Sequence, residues 1–422
     1  MERRSFLRSA TAVSAFTILK PGTVFGTRAN SAVRMGIIGC GGRGTAVISS
    51  MSKNTDIMIL GVADLLEDKL KNAIPALNSL NSARNLPEIP KANIFQGSKA
   101  FQGILNNKEI DGVLISSPCY SHPGYIEASL SAGKHVYSEK PVAPDVTGCE
   151  KVIRLGEIVK GKLSLAIGFQ IRFASAYIEM IKRIQQGDLG DMINVQLYYF
   201  ASGSSVKRPE NMSYDEARIR NQYHFNALSG GILVDQGIHM LDVCNWALKA
   251  HPVKAVGTGG RKGGTGFGDT WTNYQVLYEY PDNVNVCFHN TQQGSQFGDV
   301  CARFIGTRGL AEAHYSGGVF IKGDKPWDSG ILRCEQDTLT QEQRSAGVFL
   351  SSLHDADSNK DISFIKSIET GNYLNEALSG SESTLTAILG RNAATTSEEI
   401  TWDELISSNE RLDPMLDLSQ FD

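Results

Sequence analysis

The chain has 422 residues, of which 41% are hydrophobic and 20% are charged, and its formal net charge is -4. That length suffices for about two domains, each with a buried core. The basic residues are scattered, which argues against nucleic acid and against an anionic membrane surface as partners. Seven widely spaced cysteines without a C-x-x-C pair indicate neither a zinc site nor a disulfide framework, so we expect no metal and mostly buried thiols.

Residues 1–30 differ from the rest of the chain. Arg3 and Arg4 precede an apolar stretch, residues 9–19, that is too short to span a bilayer and is followed by Pro21. This pattern resembles a twin-arginine signal, which exports folded proteins, and a basic tail or a Sec-type signal is the alternative. We therefore expect cleavage near Gly26, a periplasmic protein, no membrane insertion after signal removal, and a fold that begins after residue 30.

Residues 31–155 alternate short apolar runs with segments of helical periodicity. The strand-like runs read VRMGIIG, IMILGVAD, DGVLISSP and HVYSEKP, and the helical segments between them include GTAVISSM and HPGYIEASLSAG. Repeated strand-helix-strand units predict parallel strands, because such connections need a crossover helix. The fold class is therefore α/β, beginning with a doubly wound parallel sheet.

A glycine-rich loop follows the first predicted strand. In GCGGRG the glycines at 39, 41 and 44 have the G-x-G-x-x-G spacing between a strand and a helix, where a pyrophosphate sits on the helix N-terminus. Asp64 ends the second strand, where a carboxylate hydrogen-bonds a ribose hydroxyl. NAD is therefore the predicted cofactor. NADP is the alternative, because the guanidinium of Arg43 in this loop can contact a phosphate. The loop residues assigned to cofactor binding are Gly39, Gly41, Gly42, Arg43 and Gly44.

The segment SSPCYSHPGY follows the fourth predicted strand, at the edge of the sheet where ligands bind. We expect Ser117, Pro118 and His122 to line the nicotinamide end of the cofactor site. For His122 the alternative is that it only begins the next helix.

The segment SEKPV ends the fifth predicted strand, so Glu139 and Lys140 reach the same crevice. A residue before proline is held extended, which gives Lys140 a fixed direction, and its bond to Pro141 is a candidate for the cis form. Taken alone, the motif would favour an exposed lysine at a turn.

Residues 156–422 have a different texture and predict an α+β domain. Strand-like segments joined by turns favour an antiparallel or mixed sheet, and they include MINVQLYYF, TWTNYQVLYEY, NVNVCFHN and VCARFIG. The stretch Gly257–Asp269 is interpreted as a loop rather than a phosphate cradle, since no helix follows it.

A predicted helix in SGGILVDQGIHMLDVCNWAL carries the remaining chemistry. From about Leu233 it places Asp235, His239 and Asp242 at i, i+4 and i+7, on one face. A histidine between two carboxylates has its tautomer and basicity set by them, which suits removal of a proton from an alcohol. The alternative is a histidine satisfied within a polar helix face.

The motifs GCGGRG, SEKPV and GGILVDQGIHMLD, in this order, resemble the Gfo/Idh/MocA family of glucose-fructose oxidoreductases and inositol dehydrogenases. The resemblance implies a Rossmann domain followed by an α+β domain with a large open sheet that often associates into homo-oligomers. It also implies that C-terminal helices, about 380–395, pack back onto the first domain. The catalytic set that it implies is Lys140, Asp235 and His239.

The expected reaction transfers a hydride between a ring carbinol of a sugar, glycoside or cyclitol and a tightly held nicotinamide. His239 accepts the hydroxyl proton, Asp235 orients its ring, and Lys140 stabilises the developing alkoxide. Further pocket candidates are Arg172, Tyr223 and His224.

Two other functions stay open. One is the NAD-dependent glycosidase or lyase branch of the family, which oxidises, eliminates and reduces, although that branch lacks the D-x-G-x-H pattern of this chain. The other is a regulator that binds nucleotide and sugar without turnover, which would be expected to lack a member of the Lys, Asp, His set.

Overall fold

The computed structural model describes residues 32–203, 205–206, 211–263, 266–293, 298–332 and 351–422. The predicted export signal lies outside these residues, as does Cys334. The six cysteines in the described part of the chain are free thiols, and all but Cys287 are buried, which confirms their prediction as small core residues.

The first sheet is parallel throughout. Its strands are β1 Val33–Ile38, β2 Ile57–Asp64, β3 Ile94–Gln96, β4 Gly112–Ile115, β5 His135–Ser138 and β6 Leu165–Ile167. They lie in the order β3-β2-β1-β4-β5-β6, with every neighbouring pair parallel. The order reverses between β1 and β4, and ligands bind at the carboxyl ends of strands at such a point. The predicted doubly wound sheet is confirmed.

Helices connect these strands and cover the sheet. They are α1 Gly42–Asn54, α2 Glu67–Ser82, α3 Ala100–Asn106, α4 His122–Ser131 and α5 Val146–Val159. The strands are continuous apolar runs because both faces are buried, and the core joins Met35 and Ile37 of β1 to Ile48 and Met51 of α1. The domain boundary at residue 155 stays a prediction, and β6 lies beyond it.

The second sheet is mixed and mostly antiparallel, as expected. Its strands are β7 Met192–Phe200, β8 Lys254–Gly260, β9 Asn273–Tyr280, β10 Val284–Thr291, β11 Asp299–Gly306, β12 Gly309–His314, β13 Val319–Gly323, β14 Trp327–Asp328 and β15 Ile400–Thr401. They lie in the order β14-β13-β12-β11-β7-β10-β9-β8-β15, with β7 and β10 parallel. Because β8 runs to Gly260, the beginning of the loop predicted at Gly257 is wrong: its first residues are paired with β9.

The remaining helices are α6 Ser175–Gln185, α7 Tyr214–Arg220, α8 Asn226–Ser229, α9 Ile238–Leu248, α10 Ala356–Thr370, α11 Ala377–Thr396 and α12 Trp402–Ser407. A π-helical turn, Leu233–Gly237, leads directly into α9. Helix α11 contacts α5 and β6 on one side and β8 and β9 on the other. At Gly380 of α11 an added Cβ would lie 3.0 Å from Ile167 of β6, so a small residue permits this close approach. In the described part of the chain, no helix combines the length and the apolar character needed to cross a bilayer.

Candidate active site

The three glycines of the motif between β1 and α1 have different surroundings, which explain why each position is a glycine. Gly39 has a φ of +98°, and an added Cβ there would lie 2.6 Å from the backbone of Ser116. An added Cβ at Gly44 would lie 2.1 Å from the carbonyl oxygen of Gly39. At Gly41 it would meet no atom within 4 Å. Packing therefore requires glycine at 39 and 44, whereas at Gly41 the backbone borders open space that a dinucleotide pyrophosphate fits.

The glycine-loop cleft is the cavity of roughly 230 Å³ that this loop borders. Gly41, Gly42, Ser117 and Pro118 line it, and so does Asp64 at the end of β2. The Asp64 carboxylate accepts hydrogen bonds from the backbone N–H groups of Cys40, at 2.6 Å, and Leu66, at 2.9 Å. Burial raises the pKa of Asp64 and these two bonds oppose that increase; the carboxylate at the edge of the cleft suits a ribose hydroxyl and opposes a 2'-phosphate. The residues present fit NAD.

Arg43 borders the cleft but does not stand free in the loop. Its Nε donates to Glu139 Oε1 at 3.0 Å, and its Nη2 lies 3.9 Å from Asp357 of α10. The guanidinium is therefore already paired with two carboxylates. This weakens the argument that Arg43 provides a phosphate contact for NADP.

His122 is the first residue of α4 and also lines the inner pocket, so both predictions made for it from the sequence hold. Its Nδ1 lies 2.8 Å from the carbonyl oxygen of Pro141, and its Nε2 lies 2.8 Å from that of Ser117. Both ring nitrogens thus contact backbone oxygens. The side chain joins the β4 and β5 ends of the crevice, and neither nitrogen is left for proton transfer.

The inner pocket is a second cavity, of roughly 200 Å³, next to the glycine-loop cleft. Lys140, Asp235 and His239 all line it. Lys140 Nζ donates to the backbone oxygen of Asp235 at 2.5 Å and lies 4.0 Å from the Asp235 carboxylate. The Lys140–Pro141 bond is cis. Lys140 from one segment and Asp235 and His239 from another therefore meet around one space, and Arg43, Ser117 and Tyr223 border both cavities.

His239 is almost fully buried, with 4% of its surface exposed. Its Nδ1 is enclosed without a hydrogen-bond partner among the described residues, and the side chain lines the inner pocket. The ring of Tyr199 lies nearly parallel to the imidazole, at an interplanar angle of 16°. Burial lowers the pKa of His239 well below its ordinary value, and the positive charges of Lys140 and Arg43 lower it further. The imidazole is therefore neutral and can accept a proton.

The expected placement of Asp242 beside His239 is wrong. Asp242 points away from the pocket and pairs with Arg172, with Nη2 to Oδ1 at 2.8 Å, and it accepts a bond from Ser383 at 2.7 Å. The ion pair with Arg172 holds the Asp242 carboxylate, whereas the π-helical turn before α9 changes the angular position of Asp235 relative to the residues of α9, which a uniform α-helical wheel does not anticipate. Arg172 is correspondingly outside the lining of the inner pocket. The two carboxylates therefore do not flank His239.

Burial raises the pKa of Asp235, and the positive charge of Lys140 opposes that increase. The negative charge of Asp235 in turn raises the pKa of Tyr223, which keeps that hydroxyl protonated as a donor. His224, in contrast, does not line either cavity. Its backbone oxygen instead accepts from the N–H of Asp269 at 2.8 Å, so its segment anchors the loop before β9.

Sequence reasoning missed the neutral polar wall of the inner pocket, which consists of Gln170, Tyr199, Gln222 and Gln236. Gln170 is 3% exposed, and its Oε1 has no hydrogen-bond partner among the described residues. Gln170 lies three residues after the end of β6, so the rule that ligands bind at the carboxyl ends of parallel strands could have identified it. Gln236 adjoins Asp235 in the motif, whereas no local pattern marks Tyr199.

A separate cluster on β11 and β12 joins Cys301, Glu312 and His314, whose donor atoms lie within 4.8 Å of one another. His314 also contacts Asp299, and Arg303 pairs with Glu312. Hydrogen bonds to Asp299, Cys301 and Glu312 raise the pKa of His314 to about 11. The positive charges of Arg303 and His314 therefore balance the carboxylates of Asp299 and Glu312. The cluster is an ion-pair network rather than a metal-binding site.

Comparisons with known proteins agree with this architecture. The model of the NAD-binding Rossmann-fold domain of the GFO/IDH/MocA oxidoreductase family matches residues 33–166, and the model of the C-terminal domain of that family matches residues 177–312. An inositol 2-dehydrogenase/D-chiro-inositol 3-dehydrogenase of Shouchella clausii is 24% identical over 217 residues, which are 51% of this chain and 53% of that protein. The match thus spans about half of that relative.

A glycosyl hydrolase family 109 protein of Solibacter usitatus is 29% identical over 128 residues, which are 30% of this chain and 28% of that protein. Among solved structures, scyllo-inositol dehydrogenase from Lactobacillus casei with bound NAD(H) and scyllo-inositol has a TM-score of 0.65 and 20% identity. The alignment covers 88% of this chain and 99% of that one. At this identity the likeness concerns the fold.

Proposed function

Because the chain belongs to the GFO/IDH/MocA family of NAD-binding oxidoreductases, we propose that it oxidises or reduces a ring carbinol of a sugar, glycoside or cyclitol. The observation that carries the proposal is the meeting of Lys140, Asp235 and His239 in one pocket beside the glycine-loop cleft. A base, a cation and a carboxylate around one space are what proton removal from an alcohol requires.

The neutral His239 accepts the hydroxyl proton, since its lowered pKa leaves the ring unprotonated. Lys140 Nζ, held by the backbone oxygen of Asp235, donates to the same carbinol oxygen and stabilises the negative charge that develops there. The Asp235 carboxylate offsets the charge of Lys140 and of the imidazolium that forms. Bound NAD supplies the hydride acceptor for the carbinol carbon.

The charges around the pocket favour an uncharged substrate. Arg43 is paired with Glu139, and Lys140 lies beside Asp235, so no net charge is left to bind an acid or an amine. The rest of the wall is made of glutamine amides and tyrosine hydroxyls, which suit a ring with several hydroxyl groups.

The test incubates the purified protein, with and without added NAD, with a panel of neutral sugars, cyclitols and aryl glycosides. We expect the near-ultraviolet absorbance of reduced nicotinamide to rise, with a product lighter by two hydrogen atoms. Lys140→Met and His239→Asn should lose that activity while still binding NAD. Release of the aglycone without net reduction of NAD would instead indicate a glycosidase. The similarity to the glycosyl hydrolase family 109 protein is the reason to test for this activity. No change with any substrate would indicate a non-catalytic binder.

We further propose that the chain is exported folded through the twin-arginine route to the periplasm, on the support of the motif at Arg3 and Arg4. An exported enzyme that carries its cofactor out of the cell needs a way to regenerate it there. The test replaces both arginines by lysine and measures the protein in the periplasmic fraction, which should fall sharply. An unchanged fraction would contradict the proposal.

We also propose that copies of this chain associate through the second sheet to form a homo-oligomer. Val256 and Leu277 lie opposite each other on β8 and β9 and are 38% and 55% exposed, which supports burial against another copy. Light scattering should give a multiple of the chain mass for the unmodified protein and a smaller mass for Leu277→Asp. A monomeric unmodified protein would contradict the proposal.

A further inference from the structure

The last residues of the chain, 410–422, form a segment that we call the C-terminal strap. They follow α12 without regular secondary structure and end in a short 3-10 turn, Ser419–Phe421. From residue 411 to residue 418 exposed and half-buried positions alternate, and the half-buried side chains are Leu412, Pro414, Leu416 and Leu418. This alternation gives the strap one apolar side against the protein and one side in solvent, although the φ of +45° at Met415 interrupts an extended backbone.

The start of the strap is anchored to α11 and to Asp145, the residue before α5. Arg391 of α11, which is 4% exposed, donates through Nη2 to both carboxylate oxygens of Glu410, at 2.9 and 2.7 Å. The N–H of Leu412 donates to Asp145 Oδ2 at 2.8 Å. Charge-assisted bonds from a buried arginine make this end a fixed point.

The middle of the strap crosses α7. Arg218 donates to the carbonyl oxygens of Pro414, at 2.6 Å, and Met415, at 3.2 Å. The N–H of Asp417 donates to the carboxylate of Asp215 at 2.9 Å.

Helix α7 is itself attached to the Rossmann sheet. Arg220 donates to both oxygens of Asp68 on α2, at 2.7 and 2.9 Å, and lines the glycine-loop cleft. Strap and helix together therefore border the same side of that cleft.

The end of the strap reaches the loop after β3. Asp422 accepts from the N–H of Ser98 at 2.7 Å and from its hydroxyl at 2.9 Å. Gly97 has a φ of +104°, and an added Cβ there would lie 3.0 Å from the Asp422 carboxylate, so glycine at this position permits the close approach of Asp422. Between these anchors Leu418 lines the cleft together with Gly41 and Asp64.

We propose that the C-terminal strap is a cofactor-binding element: Leu418 contacts the dinucleotide in the glycine-loop cleft, and the anchors at both ends of the strap slow its release. The inference rests on the NAD cofactor of the proposed function, but not on the substrate. A cofactor that leaves the cleft on this side has to displace the strap and break its bonds to Ser98 and Arg218. The strap thus gives an exported enzyme a means to keep its cofactor.

The test measures release of NADH from the full-length protein, by stopped-flow fluorescence after a chase with excess NAD. Four variants are compared: Leu418→Ala, Asp422→Ala, a truncation after Glu410, and Met415→Ala as the matched control. The Met415 side chain is 79% exposed, so the control alters the same segment without removing an inward contact. Circular dichroism checks that each variant is folded.

We expect Asp422→Ala to release NADH about tenfold faster, since it removes two hydrogen bonds to a charged group. Leu418→Ala should also weaken equilibrium binding, the truncation should exceed both in release rate, and Met415→Ala should match the unmodified protein. Release rates that are equal for Leu418→Ala, Asp422→Ala and the unmodified protein would overturn the proposal. An unmodified protein that binds no NADH would instead contradict the cofactor assignment itself.

Discussion

Arg172 allows a sharp test, because the sequence placed it in the substrate pocket and the structure places it in a buried ion pair. Its guanidinium donates to Asp242 through Nε, at 3.1 and 3.0 Å, and through Nη2, at 2.8 Å. The Asp242 side chain is 1% exposed and the Arg172 side chain 22%. Removal of one partner of a buried pair costs about 3–5 kcal/mol, because the other charge is left uncompensated. Partial exposure of Arg172 and the remaining bond from Ser383 favour the lower end, about 3 kcal/mol for Arg172→Met.

The assay is urea unfolding followed by circular dichroism, with KM and kcat measured on the same preparations. Asp242→Asn added to Arg172→Met should recover about 1–2 kcal/mol, because the buried charge is then gone. Arg154→Met is the control: that arginine is 65% exposed, in a surface pair with Glu150, and its loss should leave stability unchanged. A large increase in KM for Arg172→Met without loss of stability would refute this reasoning and return Arg172 to the substrate pocket.

Three further predictions concern the site. Arg43→Gln removes a positive charge that lowers the pKa of His239, so the acid limb of the kcat/KM profile should move to higher pH; an unmoved limb would remove His239 as the titrating base. Asp64→Asn should shift the ratio of NAD to NADP affinity toward NADP by about tenfold or more, since a fixed negative charge is lost, and titrations that leave the ratio unchanged would exclude Asp64 from the ribose site. Gln170→Met should raise KM about two- to tenfold with little change in kcat and with no loss of stability, because the amide oxygen has no partner in the part of the chain that the structure describes; an unchanged KM would mean that Gln170 does not contact substrate.

The sequence was sufficient for the parts of the fold that local chemistry determines. The glycine spacing at 39, 41 and 44 predicted a strand-turn-helix, and the structure shows that packing excludes a side chain at two of these positions. Lys140 was predicted at the carboxyl end of a parallel strand, where ligands bind in such sheets, and it lines the inner pocket. Both inferences depend on backbone geometry within a few residues of the motif.

What the sequence could not supply is the direction of side chains that depend on distant partners. Asp242 is turned to Arg172 by an ion pair between segments 70 residues apart, and one π-helical turn changes the helical phase of Asp235 relative to His239 and Asp242. Tyr199 reaches His239 from a strand of the second sheet, which no local pattern identifies. The place of Leu418 in the lining of the glycine-loop cleft has the same origin, since it depends on the bonds of the strap to Arg218 and Ser98.

The most direct test of the proposed reaction follows one hydrogen atom. A neutral sugar or cyclitol that the panel identifies as substrate is prepared with deuterium on the reacting carbinol carbon and mixed with the purified protein and NAD. Mass spectrometry of the recovered cofactor should show one deuterium on the reduced nicotinamide, and Lys140→Met and His239→Asn should show almost none. Turnover of the substrate with no deuterium on the cofactor would contradict hydride transfer, and with it the account of this pocket as a carbinol oxidoreductase site.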